Sequence, residues 1–528
     1  MSDYDVIIIG GGHNGLVAAG YLARAGRKVA VLEKKSQVGG AAISEEFAPG
    51  FMASTCAGGA GYLSAKVVKD LGLARHGLAI EASDAVAFVP QPDGSHLTIW
   101  QDTERTASEI AKFSAADAEA YPRFLAALRP MAAAVGGLLE ITPPDLPEVG
   151  WADFPSAGIM AGPMRRLGRK KLSQFLKTLP MPASDLLDEW FESDVLKGAI
   201  AASAVRDITW GPRESGTAYT LLYNWALSNN DLFRSSGGMK GGMGAITGVL
   251  AGAAQGFGAE ILTDTPVSSI VLDGDRATGV GLASGATLAA DVIVSSADPR
   301  TTFTELLDPG RLDLSVVRNV RNIKYRGSAA KIHLALDALP EFTAVAGGAE
   351  TSALEGNIQI APNMTYIQRA YDCTKYGDYS PHPYLDIEIP TLGDPEMAPA
   401  GQHVMSITAK YVPYALRNGN WEGHREAFVD AVLSTLSEYA PKLRDSILHK
   451  EVLLPGDLEE RFGLPEGNGN HGEMTLDQFL HMRPLPGYAQ YKAPVEGLFL
   501  CGAGAHPGGG VTGLPGHNAA REILKATK

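Results

Sequence analysis

The chain has 528 residues, 45% of them hydrophobic, and a formal charge of -14. A chain this long exceeds a single core and is expected to form two domains, while its acidity excludes nucleic acid as a partner, because that binding needs basic side chains to neutralise phosphates. Three cysteines, Cys56, Cys373 and Cys501, stand far apart without a C-x-x-C pair, so neither a redox dithiol nor a thiolate zinc site is expected and no metal is assigned.

The first predicted elements are a buried-type strand, Val6-Ile7-Ile8-Ile9, a turn, Gly10-Gly11-Gly12-His13-Asn14-Gly15, an Ala-rich helix, and a second strand that ends at Glu33. Gly10, Gly12 and Gly15 fit G-x-G-x-x-G: the first permits the turn, the second lets backbone approach a pyrophosphate, and the third lets helix pack on strand. The helix N-terminus favours the phosphates through its unpaired N–H groups. Glu33 is placed to accept ribose hydroxyls and disfavours a 2'-phosphate. The pair Gly39-Gly40 that follows resembles the signature of two-dinucleotide-binding-domain flavoproteins, which implies FAD rather than NAD. A first strand so near Met1 leaves the expectation of no leader peptide, and the cysteine usage is consistent with a reducing, cytoplasmic setting.

From about residue 75 the character changes. Tyr121, Phe124, Leu125, Leu128, Met131 and Ala132 lie at helical spacing, and Pro143, Pro144 and Pro147 then break the chain. The stretch 154–184 has no acidic residue but carries Arg165, Arg166, Arg169, Lys170, Lys171 and Lys177, interleaved with Leu172, Phe175, Leu176 and Leu179. It reads as a solvated helix face or, alternatively, as a basic amphipathic helix resting on an anionic membrane. The uncharged stretch 241–259 is nearly long enough to span a bilayer, but Gln255 and its moderate hydropathy favour a buried soluble helix whose glycines at 244, 248, 252 and 256 let it lie close on a sheet. Strand, hairpin and strand follow over 259–263, 267–282 and 290–295. Further strands are expected over 331–336, 384–389 and 404–411, a helix over 421–439, a strand over 497–501, and a last helix beginning near Val511.

The expected fold is therefore α/β: a Rossmann-like FAD-binding domain made of residues 1–75, 230–300 and 481–528, with an inserted α+β substrate domain made of 76–229 and 301–480. Together these residues resemble the carotenoid (phytoene) desaturase-like FAD flavoproteins, and within them the branch named pyridine nucleotide-disulfide oxidoreductase domain-containing protein 2. The resemblance runs nearly end to end. It rests on the first glycine turn, on Gly241-Gly242-Met243-Gly244, on His471-Gly472 with Asp477-Gln478, and most specifically on Leu500-Cys501-Gly502-Ala503-Gly504-Ala505-His506-Pro507-Gly508-Gly509-Gly510-Val511. It implies noncovalent FAD held by Gly10, Gly12, His13, Asn14, Gly15, Glu33, Lys34, Gly39, Gly40, Ala41, Val267, Gly502, Gly510, Val511 and Thr512.

The reaction implied is desaturation or isomerisation of a hydrophobic, lipid- or polyene-like substrate by hydride transfer to flavin, with oxygen or a quinone as acceptor. A flavin amine oxidase and a non-catalytic FAD-bound interaction protein are the competing readings. Desaturation also needs a base, for which His506 comes first, then His471 and Arg483. Peripheral membrane contact and an oligomer are both compatible with the sequence.

Overall fold

The computed structural model describes residues 2–58, 62–144, 154–206, 208–345 and 351–528; Pro147 and the small residues at 59–61 lie outside them. The parallel part of the first sheet runs in the order Glu260–Leu262, Val29–Leu32, Tyr4–Ile9, Thr287–Ser295, Leu498–Leu500. Val29–Leu32 is buried at all four positions, because a covered parallel strand has no solvent side toward which to alternate. Only the second half of Thr287–Ser295 meets Leu498–Leu500; its first half pairs antiparallel with the hairpin strand Arg276–Leu282. The helix His13–Arg24 packs against both Leu514–Ala526 and Gly242–Gly256.

Glycine spacing misjudged the helix Gly242–Gly256. Its buried face is Met243, Ile246, Leu250, Ala253 and Ala254, whereas Gly248 and Gly252 are exposed and a Cβ on either would meet nothing within 4 Å. Apolar residues three and four apart therefore decide the packed face, and of the stripe Gly244 sits most tightly, with its Cβ position 2.7 Å from the Ser44 nitrogen. Among the described residues no helix is long and apolar enough to cross a membrane.

Ser114 caps the helix Ala115–Leu139 by accepting the Asp117 N–H at 3.1 Å, and the six residues predicted at helical spacing are buried along it. The basic stretch lies on the helix Phe154–Thr178, which bends at Gly168 (φ 69°). Its six cations are exposed while Leu167 and Phe175 are buried.

The second sheet runs Ile447–Leu453, Ala329–Leu336, His403–Lys410, Leu385–Glu388, Asn357–Ile360, Ala85–Pro90, His96–Trp100. In its middle strands, Ile332, Leu334, Met405, Ile407, Leu385 and Ile387 share a core with Phe428, Val432 and Leu436 of the helix Trp421–Ser437. Side chains alternate across a strand, so the opposite face carries Lys331, His333, Ser406, Thr408, Lys410, Asp386 and Glu388. Register lines up Asp386, Thr408 and Lys331 in one row and Glu388, Ser406 and His333 in the next. The fold is α/β, a Rossmann-like nucleotide-binding sheet joined to an α+β part.

Candidate functional site

The first glycine turn is built by close approach. Gly10 has φ +95°, and a Cβ on Gly15 would stand 2.3 Å from the Gly10 carbonyl oxygen. Gly39 donates its N–H to the Gly11 carbonyl at 2.8 Å, and a Cβ on Gly40 would stand 3.2 Å from the Gly12 Cα, so the two glycine motifs touch. Glu33 is 6% exposed; its Oε2 accepts from the Gly11 N–H at 2.8 Å and its Oε1 from the Lys35 N–H at 3.0 Å. A carboxylate offers about four lone-pair positions, which leaves capacity for ribose hydroxyls.

These residues fit FAD on three observations. The helix His13–Arg24 starts at Gly12 without a side-chain cap or an acidic residue in its first turn, so its leading N–H groups can meet a pyrophosphate. A Cβ on Gly12 would find nothing nearer than 3.9 Å, which leaves that side open. Buried polar atoms of His13 (Nε2) and Asn14 (Oδ1) have no protein partner. Lys34 is exposed beside Glu33, and Val267 begins the hairpin strand Val267–Asp273 opposite Leu282.

In the C-terminal loop, a Cβ on Gly502 would stand 2.4 Å from the Ser296 carbonyl oxygen, and the Ser296 Cβ in turn lies 3.3 Å from the Gly15 Cβ position. The last helix begins at Leu514, not near Val511. Gly513 adopts φ +71° and Pro515 occupies the first turn, where proline is at home, while Thr512 Oγ1 accepts the Leu514 N–H at 3.1 Å. The Gly509 N–H faces Met474 Sδ at 3.5 Å and its carbonyl accepts the Tyr223 hydroxyl at 3.0 Å. The helix N-terminus expected near Val511 is therefore displaced by three residues.

A cavity of about 240 Å³ lies between this loop and the polar sheet face. Of the sequence-predicted residues, His13, Ala41, Gly510 and Val511 line it. The His13 ring bonds to the Gly510 backbone. None of the three expected catalytic residues lies in that lining. His506 is fully buried, with Nε2 donating to the Leu138 carbonyl at 3.0 Å. The Arg483 guanidinium, 2% exposed, donates to the carbonyls of Ala503 and Glu473 at 2.8 and 3.1 Å. His471 sits at φ +53° beside Gly504. The side chains of His506 and Arg483 thus tie loops together, whereas the buried His471 Nδ1 has no protein partner.

Sequence reasoning missed the charged lining of Arg206, Lys331, Lys410, Asp386 and Glu388. The signal was available in Ser406-x-Thr408-x-Lys410 and Asp386-x-Glu388, polar residues at period two along strands whose other positions are apolar. Lys331 Nζ donates to Thr408 Oγ1 at 2.7 Å. Lys410 Nζ donates to the carbonyls of Arg206 and Ile208 at 2.8 and 2.9 Å. Arg206 bonds the Tyr62 hydroxyl and lies 4.6 Å over its ring. Burial pushes the Asp386 carboxyl up, but Arg234, Arg206 and Lys331 together hold it below its usual range. Burial likewise keeps the Cys56 thiol, also in the lining, protonated.

Three histidines with desolvated rings give the fold an acid-side dependence. Burial lowers His13 and His333 to about 4 and His506 to about 3 from 6.5. In this range the unfolded chain binds more protons than the folded one, so stability is fully present above about pH 6.5 and falls as pH drops toward 3. Urea unfolding followed from pH 7.5 to 4 is expected to show this decline, and His333→Gln, which removes one of the three groups, is expected to flatten it. A decline of unchanged slope in that variant contradicts the assignment.

A glycine turn, a buried acid at the end of the second strand and a cavity closed by a second glycine loop define a dinucleotide-binding flavoprotein. The flavin containing amine oxidoreductase family model matches residues 15–524, and the chain belongs to that family; its cofactor is FAD. It is 34% identical to pyridine nucleotide-disulfide oxidoreductase domain-containing protein 2 of Rattus norvegicus, over 100% of this chain and 94% of that protein. It is 27% identical to a limonene dehydrogenase component of Castellaniella defragrans (99% and 94% covered) and 26% to the neurosporene-forming phytoene desaturase of Cereibacter sphaeroides (98% and 93%). A putrescine oxidase structure with bound putrescine superposes with a TM-score of 0.60 at 13% identity, over 99% of each chain. The three cysteines are free thiols, so a disulfide chemistry suggested by the rat relative's name has no pair here.

Proposed function

We propose that the protein dehydrogenates, or isomerises through dehydrogenation, a carbon–carbon unit in a largely apolar substrate. Bound FAD supplies hydride acceptance from a substrate carbon. The observation that carries the reading is the cavity, where Ile208, Leu227, Met474 and Val511 offer apolar surface beside the glycine loop and keep water from the reacting carbon. Loss of a proton from the adjacent carbon needs a base in the same space. Glu388 lines it, and among the described residues forms no ion pair, unlike Asp386, which is held by Arg234. Glu388 is therefore the proposed proton acceptor in place of His506. Relatives named for limonene dehydrogenation and phytoene desaturation support carbon–hydrogen chemistry.

Amine oxidation is the second reading, favoured by two tyrosines, Tyr62 and Tyr223, in the lining. Against it, Lys331 and Arg206 in the same lining repel an ammonium group.

Anaerobic stopped-flow separates these. A polyene or terpene is expected to bleach the flavin, whereas NADH and NADPH are not, because the sequence carries one nucleotide fingerprint and FAD occupies it. Rapid bleaching by NADPH, or by putrescine in preference to every polyene, contradicts the proposal.

A further inference from the structure

The sheet face over the cavity carries charge that a pure hydrocarbon would leave unmatched. In the row Asp386, Thr408, Lys331, the carboxylate is already taken by Arg234. The Lys331 ammonium bonds only the neutral Thr408 hydroxyl, and Arg206 bonds the neutral Tyr62 hydroxyl. Among the described residues no carboxylate stands within ion-pair distance of either. Glu388, in the neighbouring row, is one negative charge against these two cations. Asp386 acts on both only from beyond ion-pair distance, and partly buried cations without a bonded counter-ion are costly, a cost that a ligand anion removes.

Building on the apolar-substrate reading above, we propose that the substrate is amphipathic and sets a carboxylate against Lys331 and Arg206, with its chain lying on Ile208, Leu227 and Met474. Arg206 offers a planar fork that matches a carboxylate, and Lys331 a compact charge. The head group then fixes which carbon faces the glycine loop, so these two residues determine specificity and regiochemistry rather than reacting themselves.

The test uses the FAD-loaded full chain titrated with decanoate, decanol and decylamine, read by calorimetry and by perturbation of the flavin spectrum. Decanoate is expected to bind at least about tenfold more tightly than decanol, the loss of one charged hydrogen bond, with decylamine weakest. Lys331→Met and Arg206→Met are each expected to weaken decanoate about tenfold and to leave decanol unchanged, and Lys331→Arg to retain decanoate binding. Equal binding of decanoate and decanol overturns the carboxylate site while the apolar-substrate reading stands. Binding of none of the three overturns both, and preference for decylamine overturns both in favour of amine oxidation. Should the methionine variants lose FAD, the three-ligand series on the unmodified protein and on Lys331→Arg decides alone.

Discussion

Replacing Arg234 with methionine is expected to cost the fold about 3–5 kcal/mol, the effect of stranding one partner of a buried ion pair. Arg234 is 1% exposed, and its Nη2 bonds both oxygens of Asp386, whose side chain is 11% exposed. Its Nη1 donates to the Gln359 amide oxygen at 2.9 Å when that amide is oriented so that its nitrogen donates to the Ala199 carbonyl. In the variant, Asp386 keeps only the more distant help of Arg206 and Lys331, and burial then pushes its carboxyl upward. The sign with pH follows. Asp386 is held below its usual 3.8 in the native protein, so its contribution is present above that value and lost as pH falls through its lowered range. The gap between variant and parent therefore narrows toward acid. Urea unfolding at pH 7 and at about pH 3 checks both points, and Arg234→Met/Asp386→Leu, which removes both charges, is expected to recover much of the loss. An Arg234→Met protein as stable as its parent contradicts the pair's role.

Gly15→Val is expected to abolish FAD binding, by at least about a hundredfold in affinity. The clash is with backbone: the new Cβ falls 2.3 Å from the Gly10 carbonyl oxygen, with Ser296 Cβ at 3.3 Å and Ile8 Cγ2 at 3.4 Å behind it. No rotamer relieves that, so the helix His13–Arg24 must move off the strand and carry its leading N–H groups away from the phosphates. Gly248→Ala is the matched control. Its site is an exposed helix interior with open space, where alanine is expected to stabilise by about 0.5–1 kcal/mol and leave FAD untouched. Retention of FAD by Gly15→Val, measured by fluorescence of flavin released on heating, is the contrary result.

The nucleotide-binding turn was legible because its demands are local: glycine where backbone approaches backbone, and an acid at the end of the next strand. Gly15 and Gly40 meet those demands through close approach of backbone, Gly10 through its φ of +95°, and Glu33 through its buried carboxylate beside the turn. The last helix was misplaced by three residues because a run of glycines hid the stronger punctuation of Gly513 and Pro515. Long-range assembly was illegible. His506 and Arg483 carry the residue types of catalysis, yet their partners, Leu138 and the carbonyls of Ala503 and Glu473, belong to elements whose approach no spacing reveals. Conversely, Lys331, Asp386 and Thr408 are brought into one row by strands distant in the chain, so their alternation could be read but their convergence could not.

The central claim, that the chain is an FAD flavoprotein built around residues 5–33, is tested most directly by the flavin content of the purified full chain. The account predicts flavin absorption bands, a stoichiometric cofactor released by heat and identified as FAD, and its loss in Gly15→Val but not in Gly248→Ala. A colourless protein that added FAD does not turn yellow, or one that binds NADP in its place, contradicts it.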